Sequence, residues 1–250
     1  MEDLSLLIDL HRDALRQGPG GDQQTRLAIE MSGLRGRTDL HIADLGCGTG
    51  ASTLVLAREL DATITAVDFI PEFITELGIR AQQAGLEASI RPWSGAMESL
   101  TFPESSLDAI WAEGSIYNMG FTAGIQCWRR FLKPGGVLAV SELTWLTSNR
   151  PAELSEHWMR EYPEVATASS KMATLETSGY TPIGYFVLPA ESWLDHYYRP
   201  MQARFEAFLD RHQHSSAAKA IVDAELREIS LYERYSEYFS YGYYLAKRTG

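Results

Sequence analysis

The run Asp44-Leu45-Gly46-Cys47-Gly48-Thr49-Gly50 follows a short apolar stretch and precedes a helix-like one, Ala51 to Glu59. Glycines at such a junction allow a sharp turn and let a ligand approach the backbone with no Cβ in the way. Amides at the start of the following helix can bind an anionic ligand group. Asp68 ends the next apolar run, about 20 residues on, where a carboxylate can accept hydrogen bonds from both hydroxyls of a ribose. Groups able to move a proton are more scattered. Glu113 follows the fourth apolar run, Glu142 ends the fifth, and His157 lies on the apolar face of an amphipathic stretch, with His11 and His196 behind them. His157 fits a hydrogen-bonded packing role better than a catalytic one. Glu142 fits a satisfied polar group at a strand end as well as it fits a base. No serine or cysteine triad is apparent.

These residues need a frame, and the frame is readable. Apolar runs at 40–43, 63–67, 88–91, 107–112 and 137–140 alternate with helical patterns at 51–59, 71–84 and 124–132. Such alternation predicts an α/β protein with a parallel sheet covered by helices on both faces. Lys133-Pro134-Gly135-Gly136 stops the third of these helices. Helices are also expected at 4–16, 23–32, 151–162 and 169–178, the last stopped by Gly179, and through the aromatic-rich stretch from Glu191 to Phe239. Strands are expected at 183–188 and 241–246. One domain spans residues 1–250, with 1–39 and 144–168 as covering lid segments. Trp145, Trp158, Tyr162, Trp193, Tyr197 and Tyr198 crowd the lid and its sequel, as core or as walls for an apolar, aromatic or cationic ligand. The stripe Tyr232, Tyr235 and Tyr238 reads as core or as the face of a homodimer.

Composition narrows the partners. The 250 residues carry 22 Lys+Arg against 33 Asp+Glu, a net charge of −11, and the densest basic pairs are only Arg129–Arg130 and Lys247–Arg248. Nucleic acids and anionic membranes need clustered cations, so neither is expected as a partner. Two cysteines cannot make a disulfide framework or a four-cysteine zinc site, and no metal site is expected. The N-terminus is acidic and amphipathic rather than a signal peptide, and no run of about 18 apolar residues occurs. A cytoplasmic protein is the expectation.

The stretch Trp145-Leu146-Thr147 through Arg150-Pro151 to Tyr162-Pro163 resembles a subgroup of small bacterial enzymes, and taken together five earlier segments resemble the wider class I S-adenosylmethionine-dependent methyltransferases. They are the glycine run 44–50; Asp68; Gly95-Ala96-Met97-Glu98-Ser99-Leu100 with Phe102-Pro103; Leu107 to Trp111; and Leu132 to Gly136. The resemblance implies a Rossmann-like, mostly parallel seven-stranded sheet with a C-terminal antiparallel hairpin and a helical lid. It implies S-adenosyl-L-methionine as cofactor and S-adenosyl-L-homocysteine as product. Asp44, Gly46, Gly48 and Gly50 would border the methionine part, Asp68 the ribose, and Phe69 or Ile70 and Met97 the adenine. Glu113 and Gly114 would face the methionine part and a small-molecule acceptor. Ala96 departs from the family, which often has Asp there to meet the adenine amino group; Glu98 is the nearest replacement.

Other readings remain open at this level. Gly46, Gly48 and Ala51 also satisfy the dinucleotide fingerprint, so an NAD(P)-dependent oxidoreductase competes, although no Tyr-x-x-x-Lys pair accompanies it. A noncatalytic S-adenosylmethionine-binding protein is a third reading. A Walker-type loop fails for want of Lys-Ser/Thr after the glycines. Glu113-Gly114-Ser115-Ile116 replaces the Asn/Asp-Pro-Pro-Tyr/Phe of enzymes that methylate exocyclic amines of DNA bases, and Cys127 has no preceding proline to suit a cytosine C5 nucleophile.

Overall fold

The computed structural model describes residues 2–250, with side chains from residue 4 onward. Five strands run parallel: β1 (Leu40–Leu45), β2 (Ala62–Asp68), β3 (Ile90–Ser94), β4 (Leu107–Glu113) and β5 (Leu132–Trp145). A two-residue strand, β6 (Ala166–Thr167), adds to the end of β5. β7 (Tyr180–Val187) and β8 (Phe239–Arg248) close the sheet as an antiparallel pair, giving the order β3-β2-β1-β4-β5-β8-β7. The expected seven-stranded architecture is therefore present, with one short strand more. β1 and β4 are covered on both faces, which is why they read as continuous apolar runs rather than as alternating ones.

Helices α1 (Glu2–His11), α2 (Asp22–Ser32), α3 (Ala51–Glu59), α4 (Pro71–Gln83), α5 (Phe121–Arg129), α6 (Ala152–Glu161) and α7 (Ala168–Thr177) surround the sheet. Alternate strand residues face opposite sides. Ile42, Ile64, Trp111 and Leu245 pack with α2, α3 and α4, while Leu45, Val67, Ile110 and Tyr244 pack with α5 and α7. A third core lies above the C-terminal ends of the parallel strands. There α8 (Ala190–Trp193) continues through a π-helical turn into α9 (Arg199–Gln202), followed by α10 (Phe205–Arg211) and α11 (Ser216–Tyr235). Leu6, Leu10, Leu154, Trp193 and Tyr232 meet in it, and the Trp193 and Tyr232 rings stack at 4.5 Å.

Several expected boundaries shift for physical reasons. The helix expected at 124–132 spans 121–129, because Gly120, at φ 84, turns the chain early and Phe121 is buried at its start. Leu132 already pairs with Leu107, so the Lys133–Gly136 segment is an irregularity inside β5 rather than a helix stop. The third strand falls at 90–94 and includes Pro92, which is tolerated because β3 is an edge strand. The first helix ends at His11 rather than Arg16; residue 1 lies outside the described residues. The two lid segments have mixed roles. Residues 4–19 cover the strand ends, but α2 is an ordinary sheet-covering helix, and Thr144 and Trp145 still belong to β5. Much of the cover comes from α8–α11, which the expected lid did not include. Tyr232 and Tyr235 are buried in that third core, so the tyrosine stripe packs internally. Among the described residues no helix is long and apolar enough to cross a membrane.

Candidate functional site

A cavity of about 910 Å³ opens where the parallel strands end and the third core begins. The glycine run forms its floor. Gly46, Gly48 and Gly50 all have positive φ, and a Cβ on Gly46 would lie 2.3 Å from the Ser115 Cβ. Any side chain there would be strained as well as blocked. The Gly46 and Cys47 amides donate to the Val67 carbonyl at 2.8 and 3.0 Å, which holds the turn against the end of β2.

Asp68 stands beside that turn and lines the cavity. Its Oδ2 accepts the Gly48 amide and its Oδ1 the Ile70 amide, each at 2.9 Å. A carboxylate has about four lone-pair sites, so acceptor capacity remains for a ligand hydroxyl. Burial pushes the Asp68 carboxyl up, against the opposing pull of those backbone donors. Phe69, Ile70 and Met97 form apolar surface on the same side, with Phe69 exposed.

Asp44 and Gly50 do not reach the cavity lining. Gly50 begins α3, against Leu77, and Asp44 is fully buried below the turn. Its Oδ2 accepts the Ser52 and Thr53 hydroxyls at 2.8 and 2.6 Å, leaving Oδ1 without a partner. Burial is the main reason its carboxyl is pushed up to about 7. Its geometry makes it a clamp between β1 and the start of α3.

Glu113 lines the cavity but is fully engaged. Oε1 accepts Thr25 Oγ1 at 2.7 Å, Trp111 Nε1 at 3.0 Å and the Tyr243 hydroxyl at 3.2 Å, and Oε2 accepts Arg16 Nη1 at 3.3 Å. Four donors fill its acceptor sites, which suits a positioning role rather than that of a base. The Gly114 amide is likewise spent on Ser141, with 2.8 Å to its Oγ. His157 is outside the cavity. Its ring lies edge-on to Trp158 at 5.0 Å, and burial lowers its proton affinity. On the same helical surface Trp158, Glu161 and Tyr162 do reach the cavity. His196 ties the lid instead, with Nδ1 2.7 Å from the Gly20 carbonyl.

Sequence reading missed Arg16, the last residue of the expected first helix, and Gln17 just beyond it. Gln17 Oε1 accepts the Thr49 amide at 2.9 Å and its Nε2 donates to the Ala14 carbonyl at 3.1 Å. The N-terminal segment is thereby latched onto the glycine run. Gln17→Ala is expected to cost about 1–3 kcal/mol of stability and to speed amide hydrogen exchange at Thr49 and residues 12–21. Unchanged exchange there would show that the latch is held elsewhere. Glu225 and Glu228 were missed too. They share a helical stripe with Tyr232 and Tyr235, spaced three, four and three residues apart, and that spacing was the available signal.

Known proteins carry the same pattern. Residues 42–136 match a family model described as a methyltransferase domain. Trans-aconitate 2-methyltransferase of Escherichia coli O1:K1 is 31% identical over 173 residues, covering 66% of this chain and 61% of that enzyme. The chain spans between 29% and 61% of the length of the first curated relatives it matches. A Geobacter sulfurreducens S-adenosylmethionine-dependent methyltransferase, solved with S-adenosyl-L-homocysteine, superposes with a TM-score of 0.83 at 17% identity, covering 99% of this chain and 98% of that one. The [4+2]-cyclase SpnF superposes at 0.79 with 21% identity, over 98% and 93%. The matched domain and these neighbours support the resemblance to the class I S-adenosylmethionine-dependent methyltransferases.

Proposed function

We propose that the protein transfers a methyl group from S-adenosyl-L-methionine to a small organic acceptor. One observation carries this reading. The cavity is continuous from the glycine run and Asp68 to an aromatic chamber under the lid, so donor and acceptor can share one enclosed space. The donor set fits the cofactor. A carboxylate with acceptor capacity to spare suits a ribose, apolar surface at Phe69, Ile70 and Met97 suits an adenine, and the bare turn at Gly46 leaves room for the chain between. A nucleic-acid acceptor has no support in a chain of net charge −11. The small-molecule reading also agrees with the activity named for the trans-aconitate enzyme.

When bound, the sulfonium supplies a methyl group already activated for in-line displacement. What remains for the protein is alignment and exclusion of water. Asp68 and the Gly46 turn would fix the donor end. Trp158, Trp193 and Tyr241 would hold the acceptor against it, while α1 and α8–α11 seal the space.

Protein stripped of ligand should bind S-adenosyl-L-methionine and S-adenosyl-L-homocysteine at micromolar concentration in calorimetry and leave NAD(H) unbound. An acceptor screen read by mass spectrometry should then yield a product heavier by one methylene. NAD(H) binding in place of the sulfonium pair would overturn the reading. The cyclase that shares this fold makes the methylated product, rather than cofactor binding alone, the decisive result.

A further inference from the structure

The aromatic half of the cavity is acidic beyond anything methyl transfer requires. Glu142, Glu161, Glu225 and Glu228 line it. Among the described residues the single Arg or Lys in the lining is Arg16, at the cofactor end and ion-paired with Glu113 and Asp22. Glu161 meets Arg160 at 2.9 Å, Glu225 has only His11 at 3.9 Å, and Glu228 accepts the Tyr198 hydroxyl. Glu142 is the exceptional member. It is 1% exposed, its Oε1 accepts the Leu143 amide at 2.7 Å, and its Oε2 has no partner. A further buried polar atom in the same lining, Trp158 Nε1, also lacks one, and the Tyr162 hydroxyl, with no close partner of its own, faces the Glu142 carboxylate.

An unpaired carboxylate oxygen in such a place is costly unless a ligand completes it. Carboxylates set among aromatic faces complement a cation with an apolar body. We infer that the acceptor is a small amine, cationic in solution, whose nitrogen is held by Glu142 among the Tyr117, Trp158 and Tyr241 rings. The inference rests on the proposed methyl transfer. In the reaction the ammonium gives one proton to Glu142 Oε2. The freed nitrogen pair forms the N–CH3 bond as the C–S bond of the sulfonium breaks, and that bond's electrons remain on sulfur. The products are an N-methylated ammonium, S-adenosyl-L-homocysteine and a protonated Glu142, which loses its proton to solvent when the lid opens.

The surroundings of Glu142 suit that exchange. Burial pushes its carboxyl up to about 7, while Lys171 from α7 pulls it down and Glu164 pushes it up. The Tyr162 hydroxyl faces it from the end of α6 and helps to lower it, and Tyr241 is held neutral by burial. Lys171 is turned toward the Glu164 carbonyl and the Phe121 ring, so it leaves Oε2 free.

The test holds the body of the probe constant and changes its charge. Protein saturated with S-adenosyl-L-homocysteine at about pH 8 is titrated with phenethylamine, phenethyl alcohol and phenylacetate, then with tryptamine, tryptophol and indoleacetate. At least one amine should bind about tenfold tighter than its alcohol, with its carboxylate weaker still. Glu142→Gln should remove that preference while S-adenosyl-L-homocysteine affinity stays within about twofold, and Glu228→Gln should reduce it less. Alcohols or carboxylates binding as well as amines, no amine binding at millimolar concentration, or a preference that survives in Glu142→Gln would each overturn the inference alone. Failure to bind S-adenosyl-L-homocysteine at all would overturn the methyltransferase reading, and this one with it.

Discussion

Asp68→Ala is expected to weaken S-adenosyl-L-homocysteine binding by about 1–3 kcal/mol, five- to 150-fold, through loss of charge-assisted hydrogen bonds to the ribose. The substitution also orphans the Gly48 and Ile70 amides, which now donate to the carboxylate. Part of the loss would therefore come from a loosened glycine turn rather than from missing ligand contacts. Asp68→Asn separates the two effects. An amide keeps one oxygen as an acceptor, but its nitrogen cannot accept from the second backbone donor. Thermal unfolding of both variants reports the turn, and calorimetry reports the ligand. An Asp68→Ala protein that unfolds like the parent and binds with unchanged affinity would show that the ribose sits elsewhere.

The ligand-free protein should lose stability as pH rises from about 4 to about 7, the reverse of ordinary acid denaturation. Asp44 moves from 3.8 to about 7 and Glu142 from 4.5 to about 7, both chiefly through burial. Between those values the folded chain holds protons that the unfolded chain has already released, so the slope of unfolding free energy with pH is negative. For Asp44 alone the difference amounts to about 4 kcal/mol. The gain has a lower limit, because Asp9 and Asp108 are held low by His212 and Lys133, respectively, and by neighbouring arginines. Their stabilisation disappears as pH falls through their folded values. Melting temperature should therefore peak near pH 5 rather than near pH 8. Asp44→Asn keeps an acceptor for the Ser52 and Thr53 hydroxyls and should flatten that profile. A variant with the parental slope would mean that Asp44 ionises in the folded protein without cost.

The sequence by itself determined the parallel half of the sheet and the placing of its glycine turn. Continuous apolar runs such as those of β1 and β4, too short for helices, read as strands covered on both faces, and three alternating glycines after such a run leave few conformations other than a tight turn into a helix. Asp68 was legible for the same reason: it is the last residue of a strand whose end must lie beside that turn. Local rules stopped where contacts from distant parts of the chain take over. Glu113 looked like an available carboxylate until Thr25 of α2, Tyr243 of β8 and Arg16 from the loop before α2, with Trp111 of its own strand, were found to fill it. His157 and Trp158 are neighbours in sequence, yet the rotation of α6 brings only the tryptophan to the cavity. The acidity of the chamber was the least visible feature. Glu142, Glu161, Glu225 and Glu228 come from β5, α6 and α11, and no spacing along a chain encodes the meeting of three elements. Hydrophobic periodicity records which face of an element is buried; which buried polar atom is left without a partner is decided only when the faces close on one another.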